Sequence, residues 1–189
     1  MNIKRLTMAA IVALATALVG IAAPASAADG PPWLSGQRIH SSIAHGPCIN
    51  LQGDPGHYVT PGTRLALTAV GTHPSCGDAQ NVIWYLNKAT SPYYQLKDAN
   101  SGLCAGVAGN STANGAAIVA WSCQQVTNQR WRLSYVRTEN GVPFYKIVNW
   151  NSNKCIGFGG SGAAGTTLVQ WDCQNAGNQI WYFTQNIYG

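Results

Sequence analysis

The chain has 189 residues, 46% of them hydrophobic and 9% charged, with a formal net charge of +5 at pH 7. That length suits one domain with a real core. The few charges are scattered singly, which excludes a basic run that would track a phosphate backbone and sets nucleic acid aside as a partner.

Lys4 and Arg5 make a positive start, residues 8–23 form an uncharged apolar run, and Ala25-Ser26-Ala27 is a small-residue cleavage site. Residues 1–27 therefore read as a secretory signal peptide. The run is short for a bilayer span, so a secreted, extracellular protein with no membrane span after cleavage is expected. Without Lys4 and Arg5, nine basic side chains remain against six acidic ones, a net of +3. Residues 28–34, with Pro31 and Pro32, read as an extended lead-in.

The rest of the chain repeats itself. Tyr94 and Tyr145 each precede a cysteine, Cys104 and Cys155, by ten residues. Trp121 and Trp171 stand two before a second cysteine, Cys123 and Cys173, and both copies close on Asn-Gln-x-Trp at Trp131 and Trp181. A degenerate copy upstream keeps Cys48, Cys76 and Trp84 but has Val82 for the closing Gln. It also carries an insertion of about nine or ten residues, expected at Gly53–Gly71, and has Pro74 two residues before its second cysteine. A period near fifty residues marks a supersecondary unit that cannot bury its apolar face alone. The copies run over about 35–88, 89–137 and 138–189, together one domain at 35–189.

Each copy holds two cysteines, so of fifteen pairings the repeat selects Cys48–Cys76, Cys104–Cys123 and Cys155–Cys173. No two stand at metal-ligand spacing, and export favours oxidation. Short runs broken by Gly, Asn and Ser read as strands at 117–121, 130–135, 144–148 and 167–171, with turns at 100–102 and 151–153. No helical period appears. Several short strands per copy, three times over, predict an all-β, closed or nearly closed architecture.

These residues resemble the ricin B-chain type lectin family: Cys104, Val107, Trp121, Cys123, Asn128, Gln129 and Trp131, and again Cys155, Trp171, Cys173, Asn178, Gln179 and Trp181. The resemblance implies a β-trefoil of three pseudo-symmetric four-stranded repeats with one disulfide per repeat, each able to carry a shallow sugar site. It also implies that Trp121 and Trp171 stack on a sugar ring while Asn128, Gln129, Asn178 and Gln179 support hydroxyl contacts. Read from the residues alone, the two tryptophans equally cover a disulfide, and the amides equally bond turn backbone. Trp84, Trp131 and Trp181 sit in apolar strands and read as core.

One departure stands out. Sugar-binding copies of that family usually carry Asp two residues after the first cysteine, where this chain has Gly106, Gly157 and Asn50. Asp98, Asp172 and Glu139 are the candidates to supply a carboxylate from elsewhere. Asp172 follows Trp171 directly, and adjacent strand residues face opposite ways.

His40, His45, His57 and His73 all fall in the first copy and read as solvated loop residues, at spacings that fit no metal motif. The sequence shows no nucleophile elbow or zinc signature. The expectation is a non-enzymatic, monomeric module without metal or cofactor, binding glycan or polysaccharide through copies two and three. The alternative is a sugar-independent trefoil that presents its copy-one loop to a protein partner, as an inhibitor, toxin-assembly or attachment subunit.

Overall fold

The computed structural model describes residues 36–43, 46–52, 59–68, 76 and 82–185. The signal peptide, the lead-in, His45, His57, His73 and Pro74 lie outside these residues, as do 53–58 and 69–71 of the expected insertion. Twelve strands are described: β1 (Gln37–Ser41), β2 (Ile49–Leu51), β3 (Leu65–Leu67), β4 (Ile83–Lys88), β5 (Tyr94–Asp98), β6 (Cys104–Val107), β7 (Ile118–Trp121), β8 (Trp131–Glu139), β9 (Val142–Asn149), β10 (Cys155–Phe158), β11 (Leu168–Trp171) and β12 (Trp181–Gln185).

Six of them close on themselves. β1 pairs with β4, β4 with β5, β5 with β8, β8 with β9, β9 with β12, and β12 returns to β1, every pair antiparallel. Closure leaves no barrel edge to cover. The other six form three hairpins, β2–β3, β6–β7 and β10–β11. This is a β-trefoil of three four-stranded repeats.

Glycine-bearing turns tie each hairpin to the next copy. Gly62 N–H donates to Ala120 O at 2.8 Å, Gly115 N–H to Gln170 O at 2.9 Å, and Gly165 N–H to Leu67 O at 2.9 Å. Each bond is answered in the reverse direction, by Ala120 to Thr63, Gln170 to Ala116 and Leu67 to Thr166. All three glycines have positive φ (98°, 80° and 78°), where a side chain would be strained.

β4, β7, β11 and β12 alternate and turn one face inward, β1, β3, β6 and β10 are buried throughout, and the copies meet over a shared core. Trp84, Trp131 and Trp181 are fully buried there, with Ile39, Leu67, Leu96, Ile118, Ile147 and Leu168 among their neighbours in the cluster. A buried indole N–H needs an acceptor. Trp84 Nε1 donates to Ile49 O at 3.0 Å, Trp131 to Ala105 O at 2.9 Å and Trp181 to Ile156 O at 3.1 Å. Each acceptor is the residue after its copy's first cysteine, so one bond repeats three times. The disulfides are Cys48–Cys76, Cys104–Cys123 and Cys155–Cys173.

Two readings of copy one need correcting. Thr68, not Pro74, stands where Trp121 and Trp171 stand: it faces Cys48 through Thr68 N–H to Cys48 O at 2.9 Å, as Trp121 faces Cys104 and Trp171 faces Cys155. The extra residues are therefore split. Cys48 to Thr68 is 20 positions against 17 and 16 in the other copies, and Thr68 to Cys76 is 8 against 2. His40 is also no loop residue. It lies buried in β1, stacked on Tyr182 with ring centroids 4.6 Å apart, its Nδ1 near Gly46 O (3.3 Å) and its Nε2 near Thr184 Oγ1 (2.7 Å). Cys48 and Cys76 sulfurs come within 3.3 and 3.4 Å of Nδ1. They are bonded to each other, so neither offers the thiolate a metal would need.

Candidate functional site

A cleft of about 880 Å³ opens in copy two. It is lined by the end of β6 at Gly106 and Val107, the 3-10 turn Ala108–Asn110, Val119 and Trp121 of the paired strand β7, and the segment 124–129. Gly62, from the turn of copy one, completes the lining. None of these residues carries an ionisable side chain, so the cleft is neutral at every ordinary pH. It offers one indole face, valines and an alanine, and the amides of Asn110, Gln124, Gln125, Asn128 and Gln129.

Trp121 is the odd residue in this setting. A large apolar side chain normally hides, yet Trp121 is 47% exposed and Trp171 is 43% exposed. Both are the last residues of their strands, where the burial pattern alternates inward for Ile118 and Ala120 and outward for Trp121. Each leans on a glycine of the preceding copy. A Cβ on Gly62 would lie 3.5 Å from Trp121 Cζ3, and one on Gly115 would lie 3.5 Å from Trp171 Cζ3. The third glycine of the set, Gly165, has nothing within 4 Å of that position, because Thr68 replaces the tryptophan.

The closing amides divide into two kinds. Gln129 is buried; its Oε1 accepts from Gln124 N–H at 2.7 Å and its Nε2 donates to Ser122 O at 2.9 Å. Gln179 repeats this, accepting from Gln174 N–H at 2.6 Å and donating to Asp172 O at 3.0 Å. Of the two readings the sequence left open for these glutamines, this is turn-backbone bonding, with both ends of the amide committed. Asn128 and Asn178 are only partly buried and use one end, Nδ2, on Val107 O (3.0 Å) and Phe158 O (2.6 Å). Their Oδ1 atoms take no part in those bonds.

None of the candidate carboxylates reaches the copy-two cleft. Asp98 is fully buried at the end of β5, where its Oδ2 accepts from Ser101 N–H and Ser101 Oγ, both at 2.7 Å. Glu139 sits at the exposed end of β8, paired with Arg137 at 2.6 Å. Asp172 pairs with Lys154 and accepts from Asn114 Nδ2 at 2.7 Å, which holds its carboxyl below the usual carboxylate range. Asn114 belongs to copy two, so this contact ties copies two and three beside Trp171.

Sequence reasoning missed the contribution of copy one to the copy-two cleft. The signal was present: Thr-Pro-Gly-Thr before Leu65 matches Ala-Asn-Gly-Ala before Ile118 once the copies are aligned on their hairpin strands. Alignment on the cysteines hid it, because the insertion splits across Thr68. Gln124, Gln125 and Asn110 were also missed, since polar turn residues carry no motif.

Residues 80–171 and 127–189 match the family described as ricin-type beta-trefoil lectin domain-like. No curated protein matches the sequence. Several solved structures share the fold. The designed threefold-symmetric protein ThreeFoil superposes with a TM-score of 0.67 at 23% identity, over 80% of this chain and 99% of that one. A ricin B-like lectin of Macrolepiota procera, solved in complex with lactose, gives 0.58 at 20% identity, over 81% and 96%. An exo-β-1,3-galactanase of Clostridium thermocellum gives 0.66 at 18% identity, over 82% of this chain but 31% of that one. Identities this low speak to the fold alone.

Proposed function

Because the chain belongs to the ricin-type β-trefoil lectin domain-like family, we propose that it is a carbohydrate-binding module whose tryptophans, Trp121 and Trp171, stack on pyranose rings of an extracellular glycan. The observation that carries this reading is Trp121 itself: a half-exposed indole beside a glycine of the preceding copy, lining a neutral cleft. Sugar rings present C–H faces that pack on aromatic faces, and their hydroxyls need neutral donors and acceptors. Trp121 supplies the first, while Asn128 Oδ1, Gln124 and Gln125 supply the second. Gln129 and Gln179 act one step back, holding the segments that carry these groups. The lining has no group that titrates to move a proton, so the cleft binds without turnover.

A hydrogen bond to a charged partner contributes about 1.5–3 kcal/mol, and a millimolar site has only about 4 kcal/mol in all. A site without a carboxylate is therefore weak for a single sugar. Two such sites on one chain, or several residues of one polymer, raise the effective affinity by linkage. A polysaccharide is the ligand that suits this arrangement.

The test is a glycan array with an insoluble-polysaccharide pull-down on the oxidised mature protein, with the double variant Trp121→Ala/Trp171→Ala beside it. Retention lost in the double variant, at an unchanged Tm, is the expected result. A double variant that binds as the wild type does would remove the stacking assignment.

A further inference from the structure

The cleft has a neighbour that the threefold repeat does not require. At each boundary between copies the same backbone bond recurs: Ser42 N–H to Ile180 O at 2.8 Å, Ala99 N–H to Ile83 O at 2.9 Å, and Trp150 N–H to Arg130 O at 2.9 Å. Two boundaries thus hold a small residue and an isoleucine. The third holds a tryptophan and an arginine, which the fold has no need of.

The arginine at that boundary is fixed. Arg130 Cζ lies 4.9 Å from the centroid of the Trp150 ring, and Trp150 is in turn stacked on Tyr93 with centroids 4.2 Å apart and planes 18° from parallel. Arg130 Nη2 donates to Gln125 O at 3.1 Å and to Gln125 Oε1 at 3.2 Å. Indole and amide together hold the guanidinium in one place, whereas a solvated arginine wanders through many rotamers. Its charge is not balanced. The ion pairs among the described residues are Arg137–Glu139 and Lys154–Asp172, and Arg130 Nε is buried without a hydrogen-bond partner there.

It also adjoins the cleft. Gln125, which carries the guanidinium, is part of the cleft lining. Asn151, next to Trp150, donates to Asn110 O at 3.3 Å and accepts from Thr127 Oγ1 at 3.4 Å, and both of those residues line the cleft too. The same short segment thus closes the rim of the cleft and carries the ring beneath Arg130.

We infer that Arg130 is an anion subsite, taking a carboxylate or sulfate carried by the glycan whose neighbouring ring lies on Trp121. This rests on the cleft being the glycan site. A guanidinium suits both groups: with Nη2 held on Gln125 and Nε buried, Nη1 carries the donors left for an oxygen of either group, in a charge-assisted hydrogen bond. Being already ordered, it loses little side-chain entropy on binding. The cleft itself is uncharged, so selectivity for an acidic over a neutral glycan resides in this one residue.

The experiment uses matched pairs: tetragalacturonate against its methyl ester, and a κ-carrageenan tetrasaccharide against its desulfated form. Each is titrated calorimetrically into the wild type, Arg130→Gln, Arg130→Lys and Trp121→Ala, at low salt and at high salt. The wild type should prefer the charged member of at least one pair by about tenfold at low salt, with the preference shrinking as salt rises. Arg130→Gln should lose the preference while binding the uncharged member as the wild type does, and Arg130→Lys should keep part of it. Equal binding of both members in both pairs, or a preference that survives in Arg130→Gln, overturns the inference. Trp121→Ala separates the two readings: undiminished binding there removes the cleft as glycan site, while the charged-to-uncharged ratio still judges Arg130. In parallel, the Arg130 side-chain NMR resonances are followed during addition of sodium sulfate against sodium chloride. A sulfate-specific shift supports the subsite; no shift, with no galacturonate preference lost in Arg130→Gln, overturns it whichever sugar the cleft prefers.

Discussion

A Cβ placed on Gly106 would lie 2.8 Å from Cγ of Gln129, closer than packed carbon atoms approach. Gly157 and Gln179 repeat the relationship at the same 2.8 Å. The glutamines are pinned at both ends of their amides, so neither can swing aside. The missing acid of the family pattern is therefore no simple vacancy: the closing glutamine occupies the room an aspartate side chain would leave by.

Gly106→Asp should consequently fail to restore a carboxylate site. Overpacking of this kind costs about 1–3 kcal/mol, and thermal unfolding should show a fall in Tm without new affinity for galactose. A stable variant that gains galactose binding would show that Gln129 yields more readily than its two backbone bonds imply.

Gln129→Ala and Asn128→Ala should separate in their effects. The first leaves Gln124 N–H and Ser122 O without their partner; both residues are exposed, so each lost bond costs about 0.5–1.5 kcal/mol. Denaturant unfolding should report that loss, with glycan binding weakened through the loosened segment 122–129. Asn128→Ala gives up one bond to Val107 O, so its effect should appear more in affinity than in stability.

Each core tryptophan carries a packing role and a hydrogen bond. Trp131→Phe empties part of the core and orphans Ala105 O, so it should destabilise by about 2–4 kcal/mol. Equivalent losses are expected for Trp84→Phe at Ile49 O and Trp181→Phe at Ile156 O. If any of the three changed ligand preference at constant Tm, its assignment to the core would be wrong.

Asp98 stands where Asn149 stands in the next copy. Asn149 Nδ2 donates to Asn128 O at 3.0 Å and Arg130 O at 3.5 Å, whereas Asp98 Oδ1 is buried with no partner among the described residues. Burial raises its pKa above the usual carboxylate value, opposed by the Ser101 bonds. A raised acid favours folding below its unfolded pKa, and that contribution is lost as pH rises through the folded value. Asp98→Asn should stabilise the protein at pH 7 by about 1 kcal/mol and flatten this part of the Tm–pH curve. A variant no more stable than the wild type at pH 7 would overturn this.

His40 works in the opposite direction. Burial lowers its pKa to about 4, with Arg38 adding to the effect and the Gly46 carbonyl opposing it. The unfolded chain takes up the proton first, so the stability His40 contributes is present above about pH 6.5 and is lost as pH falls toward 4. A drop of 2.5 from 6.5 corresponds to roughly 3 kcal/mol. His40→Gln should be less pH-sensitive than the wild type between pH 4 and 7, measured by urea unfolding at fixed temperature; an unchanged slope would exclude His40 as its source.

The sequence by itself determined the repeat, the cysteine pairs and the buried tryptophans, because covalent spacing and the need to bury apolar faces act along the chain. It marked Trp121 and Trp171 as unusual through their absence from copy one. It placed the wrong residue opposite them, since the insertion splits across Thr68 and only strand register shows where. Whether the closing glutamines face a ligand or the backbone was open in the sequence, because an amide serves either equally. Only the tertiary structure decided that, by bringing Gln129 against Gly106, Gly62 of one copy beneath Trp121 of the next, and Arg130 onto Trp150 at one boundary of three. Those contacts join residues far apart in the chain, and no local pattern encodes them.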